Sequence, residues 1–312
     1  MTKIACFGLD GRPTLLMEGS TEERREYDDR GNITKVSYFG FDGKPTLYKD
    51  YAEIRLEYDS RGNVTKEMFL DVAGKPTLFA GNFAERRYEY DECGNITKET
   101  YFGVDGKPML CQEGYAEVRN EHDERGNLTK TSFFGADGKP IESPEGMAAV
   151  CFEYDERDNR TRVLFVGVDG RPTWHRNGYA EMRWEYDQRG NRIKESYFGM
   201  DGEPIASEEG VASACWEYDE HGKETKQTTF GVDGKLTLSR DGYAEWRREY
   251  DAFGNLRHMV FLGVNGEPAS CTSGFAEIFI VYDDLGNPDV EFFGADGHPV
   301  WPEDDDWLSI FE

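Results

Sequence analysis

Tyr90-Asp91-Glu92-Cys93-Gly94-Asn95-Ile96-Thr97-Lys98-Glu99-Thr100-Tyr101-Phe102-Gly103-Val104-Asp105-Gly106-Lys107-Pro108 is a sentence that this chain writes about nine times. Its Gly-Asn pair returns at Asn32, Asn63, Asn127, Asn191, Asn255 and Asn287, and survives altered as Asp158-Asn159 and Gly222-Lys223. The step from Asn32 to Asn63 is 31 residues and each later step is 32. A period of this length marks stacked repeats, each too small to fold alone and each burying its apolar face against its neighbours.

Outward from that stretch, each unit reads as strand, tight turn, strand, second turn and loop. Ala52-Glu53-Ile54-Arg55-Leu56-Glu57-Tyr58 alternates with period two: Ala52, Ile54, Leu56 and Tyr58 on one face, Glu53, Arg55 and Glu57 on the other. Asp59-Ser60-Arg61-Gly62-Asn63 suits a type I turn closed by a glycine in the left-handed region, which makes a three-residue hairpin loop. Counted straight from that turn, Tyr58 faces Val64, Arg55 faces Glu67 and Ala52 faces Leu70; later units set Arg87 against Glu99 and Arg183 against Glu195. Small then opposes large and cation opposes anion. The second turn is Asp-Gly at Asp42, Asp105, Asp137, Asp169, Asp201, Asp233 and Asp296, with Asn265-Gly266 as its equivalent. The proline that usually follows can only begin a short edge segment. A glycine before Tyr-Ala, as at Gly178, turns the chain into the next unit.

The expected fold is therefore all-β, an open twisted solenoid of about nine stacked 32-residue β-hairpin repeats over residues 1–300. A closed propeller is not expected, because 32 residues are few for a four-stranded blade. Residues 301–312 leave the repeat and read as an acidic-aromatic cap or tail. Two units, around Ala149-Val150-Cys151 and Ser213-Ala214-Cys215, replace the Glu/Arg face with small residues and cysteine.

Composition limits the function. Sixty-two acidic residues against 36 basic ones give a net charge of −26, which favours basic partners and opposes nucleic acid and anionic membranes. No apolar run is long enough to cross a membrane as a helix. The repeat begins at once, with no room for a signal peptide, and the cysteines fall at scattered repeat positions. The expectation is unpaired thiols in the cytoplasm, or export if the chain belongs to a longer one. His122, His175, His221, His258 and His298 sit in different units, and no catalytic constellation, phosphate loop or metal-ligand spacing is readable, so neither enzyme, cofactor nor metal is expected. The Asp-rich turns offer too few oxygens for calcium.

Two sets of residues remain as candidate binding sites. The column Tyr38, Phe69, Tyr101, Phe133, Phe165, Tyr197 and Phe261 falls, by the counted register, on the Glu/Arg face, flanked by Arg55, Arg87, Arg119, Arg183 and Arg247. Buried, it is core; exposed, it is a groove for a glycan or an extended peptide. At the C-terminus, Trp301, Asp304, Asp305, Asp306, Trp307 and Phe311 could dock on a basic partner or cap the last edge.

The unit Tyr-Asp-x-x-Gly-Asn-x-Thr-Lys-x-x-Tyr-Phe-Gly resembles the tyrosine–aspartate (YD) repeat of the RHS proteins. Tyr90, Asp91, Gly94, Thr97 and Gly103 carry the likeness, as do Tyr186, Asp187 and Gly190. The resemblance implies a β-sheet shell that encloses a toxin or presents a surface. The unit here is longer, however, and the family's self-cleaving Asp-Pro motif is absent, so toxin encapsulation is set aside. The leading expectation is a non-enzymatic repeat protein that binds or scaffolds a basic protein through an acidic β-sheet surface. The alternatives are a glycan-binding module and a fragment of an RHS-like exported shell.

Overall fold

A computed structural model of the chain describes residues 2–7, 13–15, 19–283 and 285–302. Among them there is no helix; every element is a β-strand. Internal contacts divide the chain into two units, Met1–Cys151 with Val166–Gly170, and Phe152–Phe165 with Arg171–Glu312.

The first unit holds β1 (Thr2–Phe7), β2 (Pro13–Thr14), β3 (Glu22–Tyr27), β4 (Ile33–Phe39), β5 (Glu53–Tyr58), β6 (Val64–Leu70), β7 (Glu85–Tyr90), β8 (Ile96–Phe102), β9 (Glu117–His122) and β10 (Leu128–Phe134). The division falls within β11 (Ala149–Tyr154) and β12 (Arg160–Val166). The second unit continues with β13 (Glu181–Tyr186), β14 (Arg192–Phe198), β15 (Ser213–Tyr218), β16 (Glu224–Phe230), β17 (Glu245–Tyr250), β18 (Leu256–Leu262), β19 (Glu277–Tyr282), β20 (Pro288–Phe293) and β21 (Pro299–Val300). In each unit neighbouring strands pair antiparallel as a meander of hairpins. Among the described residues β1 pairs with β2 and β3 and with no later strand, so the sheet is open. The expected open, all-β repeat is what the chain forms.

One turn geometry is used three times per repeat. In the first, the Asp91 N–H donates to the Asn95 carbonyl at 3.0 Å, the Gly94 N–H donates to the Asp91 carbonyl at 3.3 Å, and Gly94 has φ 92°. The second repeats this pattern from Gly103 to Lys107 and the third from Cys111 to Tyr115. A type I turn leaves its last residue in the left-handed region, which explains the glycines. The third turn also absorbs the 31-residue step: the Tyr48 N–H donates to the Tyr51 carbonyl across only Lys49 and Asp50.

The counted register needs correction. Tyr58 does face Val64, but a β-bulge follows, and Arg55 lies opposite Met68, Leu56 opposite Glu67 and Ile54 opposite Phe69. Arg87 faces Thr100 rather than Glu99, and Trp184, not Arg183, faces Glu195. The bulge inserts Thr65 without a partner and so exchanges the faces of the rest of the strand. The last hairpin shows the converse. β20 is one residue shorter and pairs with β19 without a shift, a second loss of one residue that the Gly-Asn spacing hides.

The exchange decides where the core sits. Tyr38, Phe69, Tyr101, Phe165 and Phe261 join the Ala/Ile/Leu face and are buried, with Phe133 and Tyr197 half-buried. Rings from the third turns interleave with them: in the first unit Tyr38, Tyr51, Phe69, Phe83, Tyr101, Tyr115 and Phe133 follow one another with centroids 4.9–6.1 Å apart. Beneath lie Ala84 and Ala116, with Ala180, Ala244 and Ala276 in the second unit, all 0% exposed. In that unit the series Phe165, Tyr179, Tyr197 stops at Val211 and Thr229, and resumes as Tyr243, Phe261, Phe275 and Phe292.

Candidate functional site

The two halves of the groove expected from the sequence are on opposite faces. The aromatic column is in the core, and the arginines lie on the outer face, each on the glutamate two residues before it. Arg55 reaches Glu53 at 2.7 Å, Arg87 reaches Glu85 at 2.6 Å and Arg119 reaches Glu117 at 2.6 Å, while Arg183 contacts Glu181 and Arg247 contacts Glu245. The aromatic ring on that face is the neighbouring column, with Arg87 lying 4.2 Å over Phe102, Arg119 4.0 Å over Phe134 and Arg183 4.1 Å over Phe198. A lysine from the preceding hairpin completes the pattern, as Lys35 does at Glu53 and Lys98 at Glu117. Burial alone would raise the Glu53 carboxyl; the Arg55 and Lys35 hydrogen bonds outweigh it and leave the carboxyl below the usual range. The outer face is thus a ladder of satisfied ion pairs. At the C-terminus Trp301 is 86% exposed, whereas Asp304, Asp305, Asp306, Trp307 and Phe311 lie outside the described residues.

The line of first turns is different, and it is built from the Tyr-Asp pair itself. The Tyr90 hydroxyl donates to the Val64 carbonyl, at the bulge of the preceding hairpin, at 2.7 Å; Tyr58 does the same to Ile33, Tyr186 to Arg160 and Tyr218 to Arg192. Where His122 replaces the tyrosine, Asn120 reaches the Ile96 carbonyl at 3.3 Å instead. The aspartate braces the turn with both oxygens. Asp91 Oδ1 accepts from the Cys93 and Asn95 backbone N–H groups, and Oδ2 accepts from the Asn95 amide at 2.9 Å. These bonds, the Asn95 side chain first, hold the Asp91 carboxyl below its ordinary range, and the Asn32 and Asn191 amides do so for Asp28 and Asp187. Asp28, Asp91 and Asp187 therefore keep their charge to lower pH than a free aspartate does.

Arginines tie successive first turns together. Arg30 donates to the Ser60 carbonyl at 2.6 Å, Arg61 to the Asp91 and Glu92 carbonyls at 2.6 Å, and Arg189 to the Glu220 carbonyl at 2.6 Å. Between the turns lie open clefts lined by a tyrosine, acids and the tying arginine. One of ≈ 580 Å³ is lined by Asp28, Asp29, Arg30, Glu57, Tyr58 and Asp59 among others; another of ≈ 490 Å³ by Asp187, Arg189, Glu217, Tyr218, Asp219 and Glu220 among others. In the first unit the turn residues from Asp28 to Arg125 comprise seven acids (Asp28, Asp29, Asp59, Asp91, Glu92, Asp123, Glu124) against three arginines (Arg30, Arg61, Arg125). Among the described residues no three His, Cys, Asp or Glu side chains come together as a metal site. Sequence alone hides this acidic line as a site, because its aspartates already have a role in the turn. The signal for it was the second acid beside them, at Asp29, Glu92 and Glu124.

No family model matches the chain, and no curated protein does. Among solved structures it is similar to TcdB2-TccC3 without the hypervariable C-terminal region, at 13% identity and TM-score 0.35, over 92% of this chain and 16% of that one. It is also similar to the Tc holotoxin pore of Photorhabdus luminescens carrying TccC3-D651A, at 14% identity and TM-score 0.30, over 91% of this chain and 14% of that one. The chain thus spans about a sixth of the length of the structures it resembles. The likeness is coarse, and neither the fold nor the function rests on it.

Proposed function

We propose that this chain is a non-catalytic β-repeat scaffold that binds another protein, one with a basic surface, along its line of first turns. The observation that carries this reading is the asymmetry of that line. Its arginines are laid onto backbone carbonyls of the next turn, while acids such as Glu92 and Glu124 stay exposed and Asp28, Asp29 and Glu57 line an open cleft with Tyr58. A repeated acidic edge offers a basic partner many weak contacts at one spacing, which gives selectivity and a fast encounter.

A labelled ten-lysine peptide is a suitable probe. Its affinity for the full chain should fall steadily as salt rises and the Debye length shrinks. Glu92→Lys with Glu124→Lys leaves every turn-bracing aspartate in place and should weaken binding about three- to tenfold at low salt. Binding that ignores both salt and these two changes would sink the reading.

A further inference from the structure

The second turns put an apolar side chain into solvent at their first central position. In the first unit these are Phe41 (66% exposed), Val72, Val104 and Val168, with the exposed Ala136 between. Leu47 and Leu110, just past the proline bridges, are also exposed. The second unit has the same arrangement, and there Trp174 reaches to 3.4 Å from where a Cβ on Gly199, in the following second turn, would lie. The side chain past the bridge thus fills the gap up to the next turn. Any residue suits that place in a type I turn, so the turn does not require these apolar groups. A continuous apolar line of this kind on a soluble surface signals contact with something.

The charges beside the line say what. From Phe41 to Gly170 the second turns of the first unit carry five acids (Asp42, Asp71, Asp105, Asp137, Asp169) and four bases (Lys44, Lys75, Lys107, Lys139). Aspartate and lysine lie side by side, at 3.7 Å for Asp42 and Lys44, 3.8 Å for Asp105 and Lys107, and 3.5 Å for Asp137 and Lys139. On a chain of net charge −26, this edge is close to neutral.

We propose that the second-turn line of the first unit docks a second copy of this chain. The turn tips recur every two strands, about 10 Å apart, and a surface must share that period to seat an apolar group at every step. A second copy shares it by construction. Related by a two-fold axis, the two lines place the lysines of one copy beside the aspartates of the other. In the second unit Glu203 and Glu267 stand where the first has lysine, so that line repels its own copy and the assembly stops at a dimer. Five tips cover about 40 Å by about 10 Å per copy, less than a standard specific interface, so the dimer is weak, transient and forms with concentration.

Sedimentation equilibrium of the full chain, from micromolar to near-millimolar concentration, tests this. Reversible dimers are expected, strengthened by salt because screening relieves the repulsion between two anionic chains. Val72→Asp with Val104→Asp should raise the dimer dissociation constant about tenfold or more. Val232→Asp with Val264→Asp, on the second unit, should leave it unchanged. Both pairs sit at exposed turn tips, and circular dichroism checks folding; should the first pair misfold, Lys107→Glu with Lys139→Glu reads the same interface. A chain that stays monomeric throughout, a dimer indifferent to the first pair, or equal loss with both pairs would overturn the proposal. Salt acts here in the opposite direction from peptide binding at the first turns, so the two readings fail separately.

Discussion

Tyrosine, alanine and aspartate each hold one place in the repeat for one physical reason. The tyrosine of Tyr-Asp reaches back to the bulge carbonyl of the preceding hairpin, and burial raises its hydroxyl above the ordinary phenol range at Tyr58, Tyr90 and Tyr186. The alanine is fully buried, and at 0% exposure Ala84 has no room to grow. Tyr101 is the residue on which the core and groove readings part. It is 7% exposed, its ring lies between Phe83 and Tyr115, and its hydroxyl donates to Glu99 at 2.7 Å. Tyr101→Ala removes that ring and leaves a cavity, while Arg86 stays on the Glu99 carboxylate, so it should destabilise the protein by about 3–5 kcal/mol. A urea titration followed by circular dichroism measures this; an unchanged midpoint would mean that the ring is a surface platform after all.

The hairpin is the element that the sequence describes most fully, and also the one where it misleads. Strands, turns and glycines are all legible, because turn chemistry is local. Gly94 makes the point: its φ is 92° and nothing lies within 4 Å of where a Cβ would be, so Gly94→Ala costs backbone strain alone. The expected loss is about 1–2 kcal/mol, read as a lower urea midpoint with an unaltered slope. A loss near zero would place this turn outside the left-handed region. The bulge was not legible. Thr65 is polar, and its unpaired state leaves no mark in a pattern that already alternates. Adjacent rings such as Tyr101 and Phe102 let either one be assigned to the core, so the counted register looked consistent while being one residue out. Its trace is in β20, where the missing residue brings Phe292 into the core column without a bulge. The same error displaced the candidate site, since an arginine and a ring that seem to share a face are in fact on opposite ones.

At the scale of the whole molecule, the aromatic series ties the protein's stability to the protonation of its tyrosines. Burial pushes Tyr115 and Tyr243 up to about 12 and raises Tyr38, Tyr101 and Tyr197 further. The ordinary phenol value near 10 applies once the chain unfolds. A group that holds its proton more tightly when folded contributes stability that is complete below the unfolded value and is lost as pH rises through the folded one. The protein should therefore hold its melting temperature up to about pH 10 and lose it steeply between about 10 and 12. Because consecutive rings touch along the first unit and along both stretches of the second, ionising one exposes the next, so tyrosine ionisation and the loss of strand signal should coincide. Absorbance at 295 nm and circular dichroism recorded through the same alkaline titration decide it. If half of the tyrosines ionise near pH 10 while the strands persist, the rings are not the continuous core that links one repeat to the next.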